Sequence, residues 1–303
     1  MNKLTHIRTI RVTTGFDCNC KCPYCTQRTT HIDKRLDWGS SQINSLYQLL
    51  KTPVIIQKGT LSIEIEGGEP LLHPEIIKQA VKLCDQMNND EREVVYSIVS
   101  NCQMLNKDRE IIEWLKERKS AFQILVSFDE LYKNPRNLTD DTYEYIKSCA
   151  PIPPFATYVV DGVDKIDEAK RNVEYLNSRG IIPLISWNFF KYKEMNDFSV
   201  RKRALQLLKE TDNANFRDGR FSGNIPKCGW IGISEKGKLY PCYHAAFGVA
   251  DLEKGKQFIE SHCKDCGIRN FCKQCIVRKS LYGENICGIM KVRYAYQNCK
   301  EVT

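Results

Sequence analysis

The 303-residue sequence predicts an α/β chain: a parallel sheet with helices outside it, closed or partly closed into a barrel, and then a small cysteine-rich domain. Three observations carry that prediction. Strand and helix patterns alternate from Thr9 to Leu208, giving about six strand–helix units. The polar and glycine-bearing motifs fall at the C-terminal ends of the predicted strands, where such folds carry their sites. After about residue 215 the periodicity fades, and eight of the fifteen cysteines follow.

In chain order, Thr9 to Thr14 alternates and is β-branched, the mark of a strand. Ser40 to Leu50 places Ile43, Leu46 and Leu49 on one helical face behind a serine cap. Leu61 to Glu66 is a second strand, and Pro74 to Met87 a helix carrying Ile76, Ile77, Ala80, Val81, Leu83 and Cys84. The alternation continues with strand Val94 to Ser100, helix Asp108 to Glu117, strand Phe122 to Phe128 and helix Asp140 to Cys149. Strand Phe155 to Asp161, helix Lys165 to Ser178, strand Ile181 to Phe190 and helix Phe198 to Leu208 complete it. Thr211 to Gly223 is polar and glycine-containing, as a linker is, so the chain divides into residues 1–215 and 216–303. The second part is too poor in periodic apolar positions for a large core and reads as a domain held by metal.

Composition narrows the function classes. With 42% hydrophobic residues the chain can bury a sizeable core. It has no run of apolar residues long enough to span a membrane, and Met1 to His6 lacks a signal peptide's apolar stretch. This points to the cytoplasm, where fifteen cysteines, an odd number, read better as metal ligands than as disulfides. The net charge of +8 is scattered through amphipathic segments such as Lys202 to Lys209, which does not point to nucleic acid.

The first strand leads into Cys18-Asn19-Cys20-Lys21-Cys22-Pro23-Tyr24-Cys25. Cys18, Cys22 and Cys25 have the spacing C-x3-C-x2-C. Three thiolates on one short loop can hold three irons of a cubane cluster and leave the fourth open, as catalytic metal sites do. A zinc knuckle or a disulfide cluster are the other readings of the loop alone. Cys20 is out of register and reads as a non-ligand, and Cys84 and Cys149, on helix faces, read as core. The second strand ends in Gly67-Gly68-Glu69-Pro70. Its glycines let the backbone approach a ligand, and its carboxylate can accept from an ammonium group. Ser100-Asn101-Cys102 ends the third strand, Ser127-Phe128-Asp129 the fourth and Trp187-Asn188-Phe189 the sixth.

The cysteine loop, Tyr24 and the Gly-Gly-Glu-Pro turn together resemble the radical S-adenosylmethionine (SAM) enzymes. The resemblance implies a partial (β/α)6 barrel. It implies that Cys18, Cys22 and Cys25 hold a [4Fe-4S] cluster whose open iron chelates SAM. Gly67, Gly68, Glu69 and Pro70 then lie at the SAM amino group, Ser100 and Asn101 near its ribose and methionine, and Ser127 and Asp129 at the ribose hydroxyls. Members often have Thr-Asn-Gly at the third strand's end, so Cys102 departs from the pattern. It is either a small buried residue or a thiol that gives a hydrogen atom to a substrate radical. Trp187, Asn188 and Phe189 read equally as a pocket wall or as core.

Cys228, Gly237, Cys242, Cys263, Cys266, Cys272, Cys275 and Cys287 resemble the SPASM extension of the family, which binds auxiliary [4Fe-4S] clusters. Carried over, Cys228, Cys242 and Cys275 hold one cluster, and Cys263, Cys266, Cys272 and Cys287 the other, with Cys299 able to replace Cys287. The first gap is one residue short and the last pair is C-x2-C, so the fourth ligand of the first cluster is left open; zinc is the alternative for the two C-x2-C pairs. Tyr243, followed by His244, stands where sulfatase-maturating members have a catalytic Asp, which argues against formylglycine formation. It is a proton acceptor or packs on the cluster.

The resemblance implies reductive cleavage of SAM and hydrogen abstraction from a residue of a ribosomally made peptide, leading to a cross-link, oxidation or epimerisation. A small-molecule dehydrogenase is the enzymatic alternative, and an electron-transfer or zinc module the non-enzymatic one. A reducing partner such as flavodoxin or ferredoxin is implied. The first predicted strand begins at Thr9, which leaves no room for the family's peptide-recognition element. The peptide reading therefore calls for a separate leader-peptide-binding protein.

Overall fold

The structure, a computed structural model, describes residues 9–15, 17–22, 25, 38–51, 58–118, 121–128, 138–149, 154–187, 194, 196–210, 215–216, 230–233, 239–240, 252–266, 287 and 291. The chain forms two compact units. One takes Met1–Phe128, Lys133–Phe155 and Gly229–Phe247; the other takes Asp129–Tyr132, Ala156–Cys228 and Gly248–Thr303.

In the first unit, β1 (Thr9–Thr13), β2 (Gly59–Glu66), β3 (Arg92–Ser100) and β4 (Ala121–Phe128) pair in parallel in sequence order. The connections are helical: α1 (Trp38–Leu50), α2 (Pro74–Asp85) and α3 (Glu110–Lys116), with α4 (Asp140–Cys149) after β4. On the far side of β1 two further strands join, β8 (Trp230–Ile233) parallel to β1 and β9 (Leu239–Tyr240) antiparallel to β8.

Register explains why these segments are strands. Ile10 and Val12 pair with Ile63 and Ile65 on one face, and Ile63 pairs in turn with Tyr96. Helix α2 covers this face with Ile77, Ala80, Val81 and Cys84, spaced by a helical period and all buried. The Tyr96 hydroxyl reaches across to it, donating to the Val81 carbonyl at 3.1 Å and to Asp85 at 2.8 Å.

The opposite face alternates with charge. Arg11 pairs in register with Glu64, its Nε donating to Oε2 at 2.9 Å, and its Nη1 lies 3.6 Å from Glu66. Both Arg11 and Glu64 are buried. The sequence signal was present in Thr-Ile-Arg-Val-Thr and Ser-Ile-Glu-Ile-Glu, where charged residues occupy alternate positions of apolar strands.

The second unit contains β5 (Phe155–Val160) from Ala156 onward, α5 (Ile166–Ser178), β6 (Ile182–Trp187), α6 (Phe198–Glu210), β7 (Asn215–Phe216, parallel to β6) and α7 (Leu252–His262). Its core includes Ala156, Tyr158 and Val160 from β5 and Ala169, Val173 and Leu176 from α5.

The expected elements are present with shifted ends. Helix α1 begins at Trp38, so Ser40 and Ser41 lie inside it rather than capping it. Helix α3 is shorter than predicted, because Asp108 folds back and accepts from the Glu110 N–H at 2.9 Å. Among the described residues, no helix is long and apolar enough to cross a membrane.

Candidate functional site

The candidate site is assembled where β1, β2 and β3 end, all within the first unit. Backbone hydrogen bonds lay the turn after β2 against the chain leading out of β1. Thr14 N–H donates to the Glu66 carbonyl at 2.8 Å, Gly68 N–H to Gly15 at 2.8 Å and Glu69 N–H to Asp17 at 2.7 Å. This approach dictates the glycine at 67, since a Cβ there would stand 2.6 Å from the Gly15 carbonyl oxygen. The Gly-Gly-Glu-Pro turn and the start of the cysteine loop are therefore one joined structure.

Glu69 is the centre of that joint. Its side chain is 1% exposed. Oε1 accepts from Leu71 N–H at 3.0 Å and from the Ser100 hydroxyl at 2.7 Å, while Oε2 accepts from Asn101 N–H at 2.8 Å. Pro70 follows as the first residue of a single helical turn, Pro70–Leu72, where a missing N–H costs nothing. The carboxylate expected at an ammonium group thus also takes three donors of its own chain and fastens β2 to β3.

At the end of β3, Ser100 and Asn101 are buried with Glu69. Cys102 is fully buried and left-handed (φ 60°), and among the described residues no other non-glycine has a positive φ. Its N–H donates to the Ser100 hydroxyl at 2.8 Å, which holds that hydroxyl's own hydrogen on Glu69. The Cys102 thiol is directed at the Ser100 carbonyl at 3.7 Å. The left-handed backbone accounts for the glycine that the motif has elsewhere.

In the cysteine loop, Cys18 is exposed and Cys20, Cys22 and Cys25 are half-buried. Cys25 N–H donates to the Cys22 carbonyl at 3.2 Å, closing a turn that sets the C-x2-C pair. The Cys18 sulfur receives the Cys20 N–H at 3.3 Å, so Cys20 contributes through its backbone. The Asn101 side-chain amide lies 4.0 Å from the same sulfur. Among the described residues no three His, Cys, Asp or Glu side chains close around a single metal ion. A cubane spreads its ligands over separate irons, and N–H groups facing a ligating sulfur are what such a cluster takes. The donor set fits it.

Ser127 is half-buried near the end of β4, whereas Asp129 and Tyr24 lie outside the described residues. So do Asn188, Phe189, Cys228, Gly237, Cys242, Tyr243, His244, Cys272, Cys275 and Cys299, and only the backbone of Trp187 is described. In the second unit, Cys263 is buried just beyond α7 and Cys266 is half-buried. Cys266 N–H donates to the Cys263 carbonyl at 3.4 Å, the same turn that Cys22 and Cys25 make. Cys287 is half-buried. Cys84 and Cys149 are buried core residues whose thiols burial pushes above the usual range. Sequence reasoning missed Asn19 and Gln103, which bond to each other and to Asn101. The only signal was a carboxamide inside the cysteine spacing and another two residues after Asn101.

A sequence profile of the Radical SAM superfamily matches residues 12–197. An uncharacterized protein of Methanocaldococcus jannaschii, MJ0907, is 28% identical over 200 residues, which is 63% of this chain and 59% of that relative's length. Native anSMEcpe with bound AdoMet superimposes with a TM-score of 0.62 at 16% identity, covering 96% of this chain and 99% of that one. Native anSMEcpe with bound AdoMet and the Cp18Cys peptide gives a TM-score of 0.60 at 16% identity, with 97% of each chain covered. Streptococcus suis SuiB bound to the precursor peptide SuiA gives 0.54 at 15% identity, covering 81% of this chain and 61% of that one. The likeness establishes the fold class expected from the sequence: α/β, a parallel six-stranded sheet with helices, of the partial (β/α)6 barrel type.

Proposed function

The chain belongs to the radical SAM superfamily, and from that premise we propose that it cleaves SAM reductively and removes a hydrogen atom from a residue of a ribosomally made peptide, ending in a cross-link, an oxidation or an epimerisation. The observation that carries this reading is the joint between the two motifs: the Gly-Gly-Glu-Pro turn bonded to the residue before Cys18, Glu69 N–H to the Asp17 carbonyl at 2.7 Å. A cluster-held sulfonium needs iron ligands and a methionine-binding turn side by side, and this joint supports that arrangement.

In this reading Cys18, Cys22 and Cys25 hold three irons. When bound, the cluster and SAM supply one electron and a carbon-centred radical able to take hydrogen from an unactivated C–H bond. The chain's own residues bind and orient. Gly67, Gly68, Glu69 and Pro70 face the amino end of SAM, with Glu69 keeping the turn rigid through Ser100 and Asn101. Ser127 and Asp129 take the ribose hydroxyls, and Tyr24, within the loop, is a further cofactor-binding residue. Residues 1–215 form the radical SAM core and 216–303 a SPASM-like domain, in which Cys228, Cys242, Cys263, Cys266, Cys272, Cys275 and Cys287 hold auxiliary clusters. A cytoplasmic flavodoxin or ferredoxin delivers the electron, and a separate leader-binding protein presents the peptide.

A peptide is favoured over a small molecule because two of the folds that superimpose on this chain, anSMEcpe and SuiB, carry one. The test is anaerobic reconstitution with iron and sulfide, reduction with dithionite, and detection of 5′-deoxyadenosine from SAM. Its formation is expected, and its absence from protein that holds the cluster overturns the reading. Incubation with short peptides encoded beside the gene should then change a peptide's mass; turnover of a small molecule alone transfers the assignment to the dehydrogenase reading.

A further inference from the structure

Asn19 sits between the first two cysteines of the loop with an exposed side chain, yet it makes two side-chain hydrogen bonds to the end of β3. Its Oδ1 accepts from Asn101 Nδ2 at 2.7 Å, and its Nδ2 donates to Gln103 Oε1 at 2.8 Å. Gln103 N–H closes the ring, donating to Asn101 Oδ1 at 3.0 Å. Asn19 and Asn101 each accept through the side-chain oxygen and donate through the side-chain nitrogen, and Gln103 accepts through Oε1 and donates through its backbone N–H. Turning any one of them over would set donor against donor or acceptor against acceptor, so the ring has one sense.

The ring is rooted in buried structure. Asn101 is 3% exposed, and its backbone N–H is held by Glu69 at 2.8 Å. The other end reaches a loop with little packing of its own: Asp17, Cys18, Asn19 and Lys21 are all exposed. Ordering such a loop costs backbone conformational freedom at every residue fixed. A hydrogen-bonded anchor next to the first ligand offsets part of that cost. It also sets the Asn101 amide between Asn19 and the Cys18 sulfur.

We propose that Asn19, Asn101 and Gln103 form a carboxamide latch that fastens the cysteine loop to the end of β3 and positions Cys18 for an iron–sulfur cluster. All three are positioning residues, acting on the cluster through Cys18. This rests on the reading of Cys18, Cys22 and Cys25 as cluster ligands.

The test uses the full-length reconstituted protein and follows transfer of iron from the protein to bathophenanthroline. Asn19→Ala and Gln103→Ala should release iron about threefold faster or more, the effect of one hydrogen bond of modest net strength. Gln103→Glu keeps an acceptor for the Asn19 amide and should release iron at the parent rate. Thermal unfolding of the cluster-free proteins should be the same for all four, which separates loss of the latch from general loosening. The latch is overturned if the two alanine variants release iron at the parent rate, or if Gln103→Glu is as fast as Gln103→Ala. A parent protein that takes up no iron and sulfide overturns the proposed function, and the latch with it; an intact parent cluster beside unchanged variants overturns the latch alone.

Discussion

Gly67 stands where two chain segments come too close for a side chain. An added Cβ would lie 2.6 Å from a backbone oxygen and 3.0 Å from Thr14 Oγ1, and backbone cannot swing aside as a side chain tip can. Gly67→Ala must therefore open the joint between the turn and the cysteine loop. The expected result is a folded protein destabilised by about 1–3 kcal/mol, the usual cost of forcing extra volume into packed structure. It should produce much less 5′-deoxyadenosine than the parent under the same reductant. Urea titration and product quantitation check the two halves; unchanged values in both would mean that the joint yields without consequence. Gly67 was legible in the sequence because Gly-Gly before Glu-Pro is a local signature. The left-handed Cys102 was not. No local rule puts a cysteine at positive φ, and what holds it there is a tertiary network, its N–H on the Ser100 hydroxyl and that hydroxyl on Glu69.

At the scale of elements, legibility followed burial. Helix α2 was readable because Ile77, Ala80, Val81 and Cys84 repeat at helical spacing and bury one face on the sheet. Strand β8 was not, because four residues, Trp-Ile-Gly-Ile, give too short a pattern and their partner β1 lies some two hundred residues earlier. Helix α6 adds an element whose start can be tested. Asp197 precedes it and accepts from Ser199 N–H at 2.7 Å, from the Ser199 hydroxyl at 2.6 Å and from Val200 N–H at 3.4 Å. The Ser199 bonds, side chain first and then backbone, hold the Asp197 carboxyl below its ordinary value. A depressed folded-state value means that the cap stabilises in full above the ordinary aspartate value, and that this is lost as pH falls below it through the lower folded-state value. Asp197→Ala should accordingly melt earlier than the parent at neutral pH, and the gap should close as the solution is acidified through the carboxylate range. A gap that persists in acid would show that Asp197 acts by something other than its charged cap.

For the whole molecule the deciding quantity is metal content, because the two cysteine fields make different demands. The first field sits on a sheet whose core is built of Ile10, Val12, Ile63, Ile65 and Ile98, and that core needs no metal to form. The second lies in a stretch whose sequence is poor in periodic apolar positions, and on the proposed reading it takes its order from what its thiols bind. If every field holds cubanes, the reconstituted chain carries about twelve irons and about twelve sulfides, four of each per cluster. Removing Cys18, Cys22 and Cys25 together should then lower both counts by about four and abolish SAM cleavage, with unfolding of the first unit's sheet little changed. Replacing Cys263 and Cys266 should lower the counts as well, and, if metal stands in for a core there as proposed, it should expose the second unit's C-terminal segment to protease. Iron and sulfide near four per chain, with about one or two zinc ions, would leave the SAM cluster in place and assign the second field to zinc. That outcome would leave no auxiliary cluster to take an electron from the substrate radical, and would favour epimerisation, which needs no net oxidation, over a cross-link or an oxidation.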